Sequence, residues 1–288
     1  MGRTQLEDAV PMRLGQSFHA YATMIERDIR RIHRTSKDLY TVNLGGTAIG
    51  TTINASDYYL HHIVPTLAAV TGYPLMQAED LFDATENLDC FVNVSGSLKT
   101  CAVNLSKMCN DLRLMSSGPR CGFNEINLPA KQNGSSIMPG KVNPVIPEVV
   151  NQVAFNIMGN DFTITMAAEG GQLELNAFEP IIFWNLTHEV EFLTYAVSTL
   201  TDNCIVGITA NRERCQSYVD HSVGIITALT PHIGYEHAAD IAKEAIRTGA
   251  SVKDLILQKG ILTQENIDKI LDTHAMTSPG ISARELLE

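Results

Sequence analysis

Residues 91–112 read FVNVSGSLKTCAVNLSKMCNDL, and apolar side chains recur in this stretch at gaps that alternate between three and four. An α-helix turns once in about 3.6 residues, so this spacing places the apolar side chains on one stripe, as in helices that pack along their length. We therefore predict a long helix over residues 85–114, whose apolar seam needs a partner helix. The pattern leaves open whether that partner belongs to the same chain or to another subunit. The seam consists of Phe91, Val94, Leu98, Cys101, Leu105, Met108 and Leu112.

Three further segments show helical periodicity over similar lengths, at residues 12–39, 143–168 and 180–203. Helices of about 25 residues are roughly 35–40 Å long, about twice the usual length in globular proteins. Such helices bury their apolar stripes against one another, and no run of alternating residues predicts a competing sheet. We therefore predict an all-α fold built as a long-helix bundle. Only short β pieces are expected, near residues 40–47 and 123–127.

After Asn203 the predicted helices become shorter. Thr263 is a good N-cap for one of them, because its hydroxyl can accept a hydrogen bond from a free backbone N–H group. We predict a central long-helix bundle domain at residues 1–204 and a small C-terminal helical domain at residues 205–288. The short helices are expected at residues 212–218, 222–229, 235–249, 252–259 and from 263 onward.

The composition argues against several classes of protein. The 288 residues carry a formal net charge of −11, whereas a nucleic-acid-binding protein needs a basic face for the phosphates. A pocket for a small anionic substrate stays possible, since one lysine can reverse the field locally. No stretch approaches about 18 consecutive apolar residues, so the sequence predicts no membrane span.

The cysteines and histidines give no sign of a metal site. The six cysteines include no CxxC pair, which argues against a zinc site and against the disulfide framework of a small secreted protein. Reduced thiols and a cytoplasmic location are the simpler interpretation. His61, His62 and His188 have no companion ligands at metal spacing, so we interpret them as surface or packing residues.

The most informative segment for chemistry is the loop at residues 134–144, which reads GSSIMPGKVNP. A glycine near each end permits unusual backbone angles. Asn143 followed by Pro144 predicts an N-cap and a proline at the first helical position. The ammonium of Lys141 would then lie beside the positive end of a helix, which is a favourable place for a carboxylate. By composition alone, the same residues would describe an ordinary loop and helix cap.

The loop resembles the Gly-Ser-Ser-x-Met-Pro-x-Lys-x-Asn-Pro motif of the fumarase/aspartase superfamily, with every specified position present. The resemblance extends along essentially the whole chain. It includes GRTQLEDAVP at residues 2–11, NEINLP at 124–129 and QLELN at 172–176. The resemblance implies the superfamily's long-helix central domain and small C-terminal domain. Because the superfamily's subunit is longer, we expect the chain to be its C-terminal part, with an incomplete central domain and little activity alone.

Position 5 helps to distinguish the branches of the superfamily. Class II fumarases typically carry Gly-Arg-Thr-His here, whereas this chain has Gln5, as many aspartases do. The phrase GQLELN at residues 171–176 is also more similar to aspartases. The resemblance thus implies reversible elimination of ammonia from L-aspartate to give fumarate, without a cofactor. The alternatives are hydration of fumarate, as in class II fumarases, and a non-catalytic helical assembly protein like the lens crystallins that share this fold.

The resemblance also implies roles for residues of the loop. Ser135 aligns with the base that abstracts a C3 proton from the substrate, which leaves a doubly charged enediolate. Ser136 matches a substrate-binding position. Lys141 and Asn143 match residues that hold the substrate carboxylates. A serine hydroxyl is a weak base, so its alkoxide needs stabilisation by nearby N–H groups or a cation.

Three residues outside the loop motif complete the implied site. Thr4 matches a substrate contact, and Gln5 occupies the place of the fumarase histidine but cannot titrate. Glu148 matches the carboxylate that pairs with that histidine, and a helix-dipole role in the first turn of a helix is the alternative interpretation. In the superfamily, three subunits of a homotetramer build each site. We therefore expect a homotetramer that binds a small dicarboxylate.

Overall fold

The structure is a computed structural model, and it describes residues 1–132, 134, 137–138 and 140–287. Helices dominate these residues, and the strands are only two residues long. The helices are α1 (Leu14–Thr35), α2 (Asp57–Thr71), α3 (Asp83–Glu86), α4 (Asp89–Met115), α5 (Val145–Glu169), α6 (Glu179–Asn203), α7 (Arg212–His221), α8 (Ile226–Ile233), α9 (Tyr235–Thr248), α10 (Val252–Gln258), α11 (Gln264–Ile270) and α12 (Thr273–Met276). The strands are β1 (Arg3–Thr4), β2 (Glu7–Asp8), β3 (Thr41–Val42), β4 (Met76–Gln77), β5 (Ile126–Asn127) and β6 (Thr209–Ala210).

The predicted all-α fold class is confirmed, and the four predicted long helices correspond to α1, α4, α5 and α6. Helix α2 was not predicted, because only Val64 is buried along it and Pro65 lies inside it, so it shows no long apolar stripe. Local signals define its ends instead. The Ser56 hydroxyl accepts a hydrogen bond from the Tyr59 amide, and Gly72 closes the helix in the left-handed conformation. None of the helices in the described residues is long and apolar enough to cross a bilayer.

The chain forms two compact units. The bundle unit comprises residues 21–123 and 128–209, and the terminal unit comprises residues 1–20, 124–127 and 210–288. The first residues of the chain thus group with its last residues. The sequence-based division into residues 1–204 and 205–288 stays a prediction.

In the bundle unit, α4 packs along α5 and α5 packs along α6. The heptad seam of α4 is buried from Val94 to Leu112, and Phe91 is half-buried. The seam thus has its main partner, α5, within the same chain. Ile157 and Ile164 of α5 and Ile182 of α6 are completely buried in this bundle.

A polar cluster is buried between the same three helices. Ser95 Oγ of α4 lies 2.8 Å from Asp161 Oδ1 of α5 and 3.2 Å from Glu189 Oε1 of α6. Lys99 Nζ donates to Asp161 Oδ2 at 2.5 Å. Glu189 is completely buried, and its Oε2 has no hydrogen-bond partner among the described residues. Burial raises the pKa of the Glu189 carboxyl to about 8, with a further contribution from the negative charge of Asp161.

The terminal unit packs α8–α11 around an aliphatic core that includes Leu229, Ile241 and Ile267. The predicted cap is confirmed, because the Thr263 hydroxyl accepts a hydrogen bond from the Asn266 amide at the start of α11. The β1–β2 hairpin belongs to the same unit. Its strands pair antiparallel, with Arg3 opposite Asp8 and Thr4 opposite Glu7. In the bundle unit, β3 and β4 pair in parallel.

Candidate active site

Backbone hydrogen bonds close the loop that precedes α5. The Gly134 amide donates to the Lys141 carbonyl at 2.8 Å, and the Lys141 amide donates to the Met138 carbonyl at 3.1 Å. A Cβ atom on Gly134 would lie 2.3 Å from the Lys141 carbonyl oxygen, so only glycine permits this close approach. Gly140 has a φ of +84°, as expected for a loop glycine. Ser135 and Ser136, the predicted base and substrate-binding serine, lie outside the described residues.

The predicted start of α5 is wrong in detail. The helix begins at Val145, Pro144 occupies the cap position, and no side chain caps the first turn. The Asn143 carbonyl accepts a hydrogen bond from the Val145 amide at 2.9 Å. Because the helix starts one residue later than predicted, its free N–H groups lie further from the Asn143 side chain. The amide of half-buried Asn143 and the ammonium of exposed Lys141 thus precede the helix rather than cap it.

An arginine of α4 holds the first two turns of α5. Arg113 Nη2 lies 3.4 Å from Glu148 Oε1, and Arg113 Nη1 donates to Asn151 Oδ1 at 3.3 Å. The buried Asn151 amide nitrogen in turn lies 2.8 Å from Ser106 Oγ and 3.1 Å from Asn110 Oδ1. Sequence reasoning did not single out Arg113. A basic residue in the last turn of a helix has an ordinary helix-dipole interpretation, and only the packing of α4 on α5 reveals its partners.

Thr4 and Gln5 lie at the tip of the β1–β2 hairpin, and both are exposed. Gln5 and Leu6 have φ values of +55° and +68°, which is the left-handed conformation of a tight hairpin turn. These two site residues belong to the terminal unit, whereas Lys141, Asn143 and Glu148 belong to the bundle unit. Within the bundle unit, Glu148 lies in the first turn of α5, and Asn143 and Lys141 lie in the loop just before it.

A bidentate ion pair anchors the hairpin within the terminal unit. Arg3 Nη2 donates to Glu125 Oε1 at 2.7 Å and Arg3 Nη1 donates to Glu125 Oε2 at 3.2 Å, with Glu125 buried. The Glu125 carbonyl also accepts from the Asn211 amide at 2.9 Å. The Arg3 guanidinium lies 5.4 Å from the centre of the Tyr218 ring. The stretch at residues 124–127 thus ties the hairpin to the start of α7.

The histidines do not form a metal centre in the described part of the chain. His61 and His62 are exposed on α2, and His62 Nδ1 bonds the Tyr58 carbonyl one turn earlier. His188 Nδ1 bonds the Trp184 carbonyl in the same way. Among the described residues, no cluster of three or more histidine, cysteine or acidic side chains could hold a metal ion.

Two models of known protein families match the sequence of this chain. A family model described as "Lyase" matches residues 1–159, which is more than half of the chain. The chain belongs to this lyase family. A second model, described as "Fumarase C C-terminus", matches residues 225–278 in the terminal unit of this lyase.

Curated members of the family are similar to the lyase chain over its full length. The aspartate ammonia-lyase of Bacillus subtilis (strain 168) is 55% identical over 288 residues, which are 100% of this chain and 61% of the relative. The aspartate ammonia-lyase of Escherichia coli (strain K12) is 51% identical over 284 residues, or 99% of this chain and 59% of the relative. The chain therefore spans about 60% of the length of these relatives.

Solved structures support the fold. A structure titled "fumarate lyase:delta crystallin from Brucella melitensis bound to cobalt" matches with a TM-score of 0.94 and 49% identity, over 96% of this chain and 60% of that one. The class II fumarase of Schistosoma mansoni matches with a TM-score of 0.91 and 36% identity, over 96% and 61% of the two chains. The predicted architecture of long helices followed by short ones agrees with these neighbours.

Proposed function

We propose that the protein is an aspartate ammonia-lyase, which eliminates ammonia from L-aspartate to give fumarate and catalyses the reverse addition. The observation that carries the proposal is the 55% identity to the Bacillus subtilis aspartate ammonia-lyase across the whole chain. Identity to the class II fumarase of Schistosoma mansoni is lower, at 36%. Gln5 supports the same choice, because glutamine cannot provide the titrating group that the fumarase position carries.

The proposed chemistry begins with proton removal by Ser135. The C3–H bond breaks, the proton passes to the Ser135 alkoxide to give the hydroxyl, and the electron pair delocalises into the neighbouring carboxylate as an enediolate. Stabilising that doubly charged intermediate is the main energetic task, and the ammonium of Lys141 near the start of α5 supplies positive charge for it. The C2–N bond then breaks, ammonia leaves with the bonding pair, and the C2–C3 double bond of fumarate forms.

The other site residues bind and orient the dicarboxylate. In the proposal, Ser136, Asn143 and Thr4 donate hydrogen bonds to its carboxylates, and Gln5 donates from its amide. Holding both carboxylates fixes the C3 proton close to the base, which lowers the entropic part of the barrier. Glutamine is sufficient at position 5 because a departing ammonia needs less acid assistance than a departing hydroxide.

We further propose a homotetramer in the cytoplasm. Large aromatic side chains are exposed on the long helices, among them Phe155 and Phe162 of α5 and Trp184 and Tyr195 of α6. Exposed aromatics on packed helices are typical of surfaces that bind another subunit. All six cysteines are free thiols, which suits a reducing compartment.

The activity is tested with two proteins. One is the 288-residue chain, and the other is a hybrid in which these residues replace the matching 61% of the Bacillus subtilis relative. We expect the hybrid to release fumarate from L-aspartate and the chain alone to show little turnover. Fumarate absorbance measures the reaction, and the rest of the relative without the matching part is the control. Turnover of L-malate instead of L-aspartate by the hybrid indicates a fumarase, and no turnover of either substrate indicates a non-catalytic member of the fold.

A further inference from the structure

Glu148 has a partner in the structure that the resemblance did not suggest. It matches the carboxylate that pairs with a histidine in fumarases, but Gln5 stands at the histidine position. We propose that Arg113 is a positioning residue of the lyase, which holds the start of α5 and thereby Lys141 and Asn143. Glu148 serves as the ion-pair partner of Arg113 rather than as part of a proton relay. The proposal rests on the lyase function proposed above.

The contacts of Arg113 point to anchoring. One arm of its guanidinium faces Glu148 at 3.4 Å and the other donates to Asn151 at 3.3 Å, so a single side chain holds two successive turns of α5. Its Nε is buried and has no partner among the described residues. A fixed fork with several donors suits this role, whereas a lysine ammonium offers only a point charge.

Asn151 connects Arg113 to the rigid part of α4. It is only 3% exposed, and its amide nitrogen lies within hydrogen-bond distance of Ser106 Oγ, the Ser106 carbonyl and Asn110 Oδ1. Its amide oxygen remains to accept the bond from Arg113. Because both polar atoms of the Asn151 side chain have partners on α4, the network specifies how α5 packs on α4 at this point.

The hydrogen bonds continue from α5 to the site residues. Glu148 lies in the first turn of the helix, and its amide bonds the Pro144 carbonyl at 3.3 Å. The Val145 amide bonds the Asn143 carbonyl, and Lys141 lies two residues before Asn143 in the same stretch of backbone. A shift of this first turn therefore moves Lys141 and Asn143, the residues proposed to hold the substrate carboxylates.

The ion pair itself contributes little to overall stability. The Arg113 and Glu148 side chains are 41% and 38% exposed, and pairs with such exposure are screened by solvent. Arg113 lies in the last turn of α4 and Glu148 in the first turn of α5, so each charge also complements its own helix dipole. Arg113→Met should therefore fold and change the geometry of the site more than its stability.

The test measures kinetics in the hybrid and backbone protection in the 288-residue chain. For Arg113→Met we expect KM for L-aspartate to rise roughly tenfold while kcat stays within about threefold, since ground-state and transition-state carboxylate binding weaken together. Arg113→Lys should recover part of the loss. Hydrogen exchange at the amides of residues 148–151 should be faster in the Met variant. Lys107→Met is the matched control, because Lys107 is exposed on the same helix and pairs with Asp111 of α4 itself.

Glu148→Gln separates the two roles of the carboxylate. Anchoring predicts a small rise in KM and an unchanged pH profile of kcat, whereas a proton relay predicts a large loss of kcat with an altered profile. A large loss of kcat with an altered pH profile in Glu148→Gln overturns the proposal. An Arg113→Met variant with unchanged KM and unchanged hydrogen exchange overturns it as well. If the unsubstituted hybrid does not turn over L-aspartate, the proposed function fails, and the exchange data alone then decide the anchoring.

Discussion

At pH 8.5, replacing Glu189 with glutamine is expected to raise the midpoint of thermal unfolding by roughly 5–10 °C. Glu189 is completely buried between α4, α5 and α6, and burial raises its pKa from 4.5 to about 8. Above that pH the folded chain must hold a carboxylate without water around it. A glutamine amide has nearly the same shape, carries no charge, and can donate to Ser95.

The geometry of the cluster agrees with a protonated Glu189 near neutral pH. Ser95 has one hydroxyl proton and lies closer to Asp161 than to Glu189. Asp161 also accepts a hydrogen bond from the Lys99 ammonium. If the Ser95 hydroxyl proton is donated to Asp161, the contact between Ser95 and Glu189 is a hydrogen bond only when a protonated Glu189 is the donor. Ser95 and Lys99 of α4 and Asp161 of α5 are thus the groups that act on the Glu189 carboxyl.

The sign of the pH dependence follows from the raised pKa. Between pH 4.5 and about 8 the folded chain keeps a proton on Glu189 that the unfolded chain releases. The free energy of unfolding therefore falls as the pH rises through this window, by about 1.4 kcal/mol per unit from this group, and roughly 3–5 kcal/mol in all. Below pH 4.5 the carboxyl is protonated in both states, so the Glu189→Gln variant and the native chain should differ little there.

Thermal unfolding followed by circular dichroism at pH 4 and pH 8.5 measures this effect. Glu191→Gln is the matched control, because Glu191 lies on the same helix and is exposed. It should leave the difference between the two pH values unchanged. A Glu189→Gln variant that unfolds at the same temperature as the native chain at pH 8.5 would show that Glu189 is ionised there at no cost.

Ser135→Ala in the hybrid is expected to lower kcat/KM for L-aspartate by about 10²–10⁴-fold, the range for loss of a positioned base. Alanine cannot accept the C3 proton, so the loss should appear in kcat while KM changes little. The prediction depends on the motif at residues 134–144, because Ser135 lies outside the described residues.

Steady-state rates from fumarate absorbance measure this prediction, with circular dichroism to verify folding. Ser278→Ala is the control, since Ser278 is exposed in the terminal unit and its hydroxyl donates to the His274 carbonyl one turn earlier. It should retain full activity. Activity of the Ser135→Ala hybrid within about tenfold of the unsubstituted hybrid would rule out Ser135 as the base.

Much of the fold could be predicted from local spacing. The seam from Phe91 to Leu112 predicted α4, and the shorter periodic segments after Asn203 marked the change to short helices. One helix was missed, and one local expectation was wrong. Helix α2 has no buried stripe to reveal it, and the side chain of Asn143 does not cap α5, because the helix begins after Pro144. Neither position carries a long apolar stripe: caps at Ser56 and Gly72 define α2, and α5 begins one residue later than the proline suggested.

Some features of the candidate site could be recognised from the sequence, and others only from the structure. A contiguous motif carries Ser135, Lys141 and Asn143, so these residues could be recognised from eleven consecutive letters. The ion pair between Arg3 and Glu125 could not be recognised from the sequence. The two residues are 122 positions apart, and no periodicity links side chains at such a separation.

Local spacing along the chain thus decided the helical class and the order of long and short helices, whereas the chemistry proposed for the loop before α5 rests on the resemblance of its motif. These properties depend on neighbours in sequence, where periodicity and backbone preferences act directly. The tertiary structure alone decided that the seam of α4 faces α5, that Arg113 pairs with Glu148, and that Glu189 is buried beside Asp161. Burial and pairing of charges depend on which helices meet, and helices meet through the packing of the whole core.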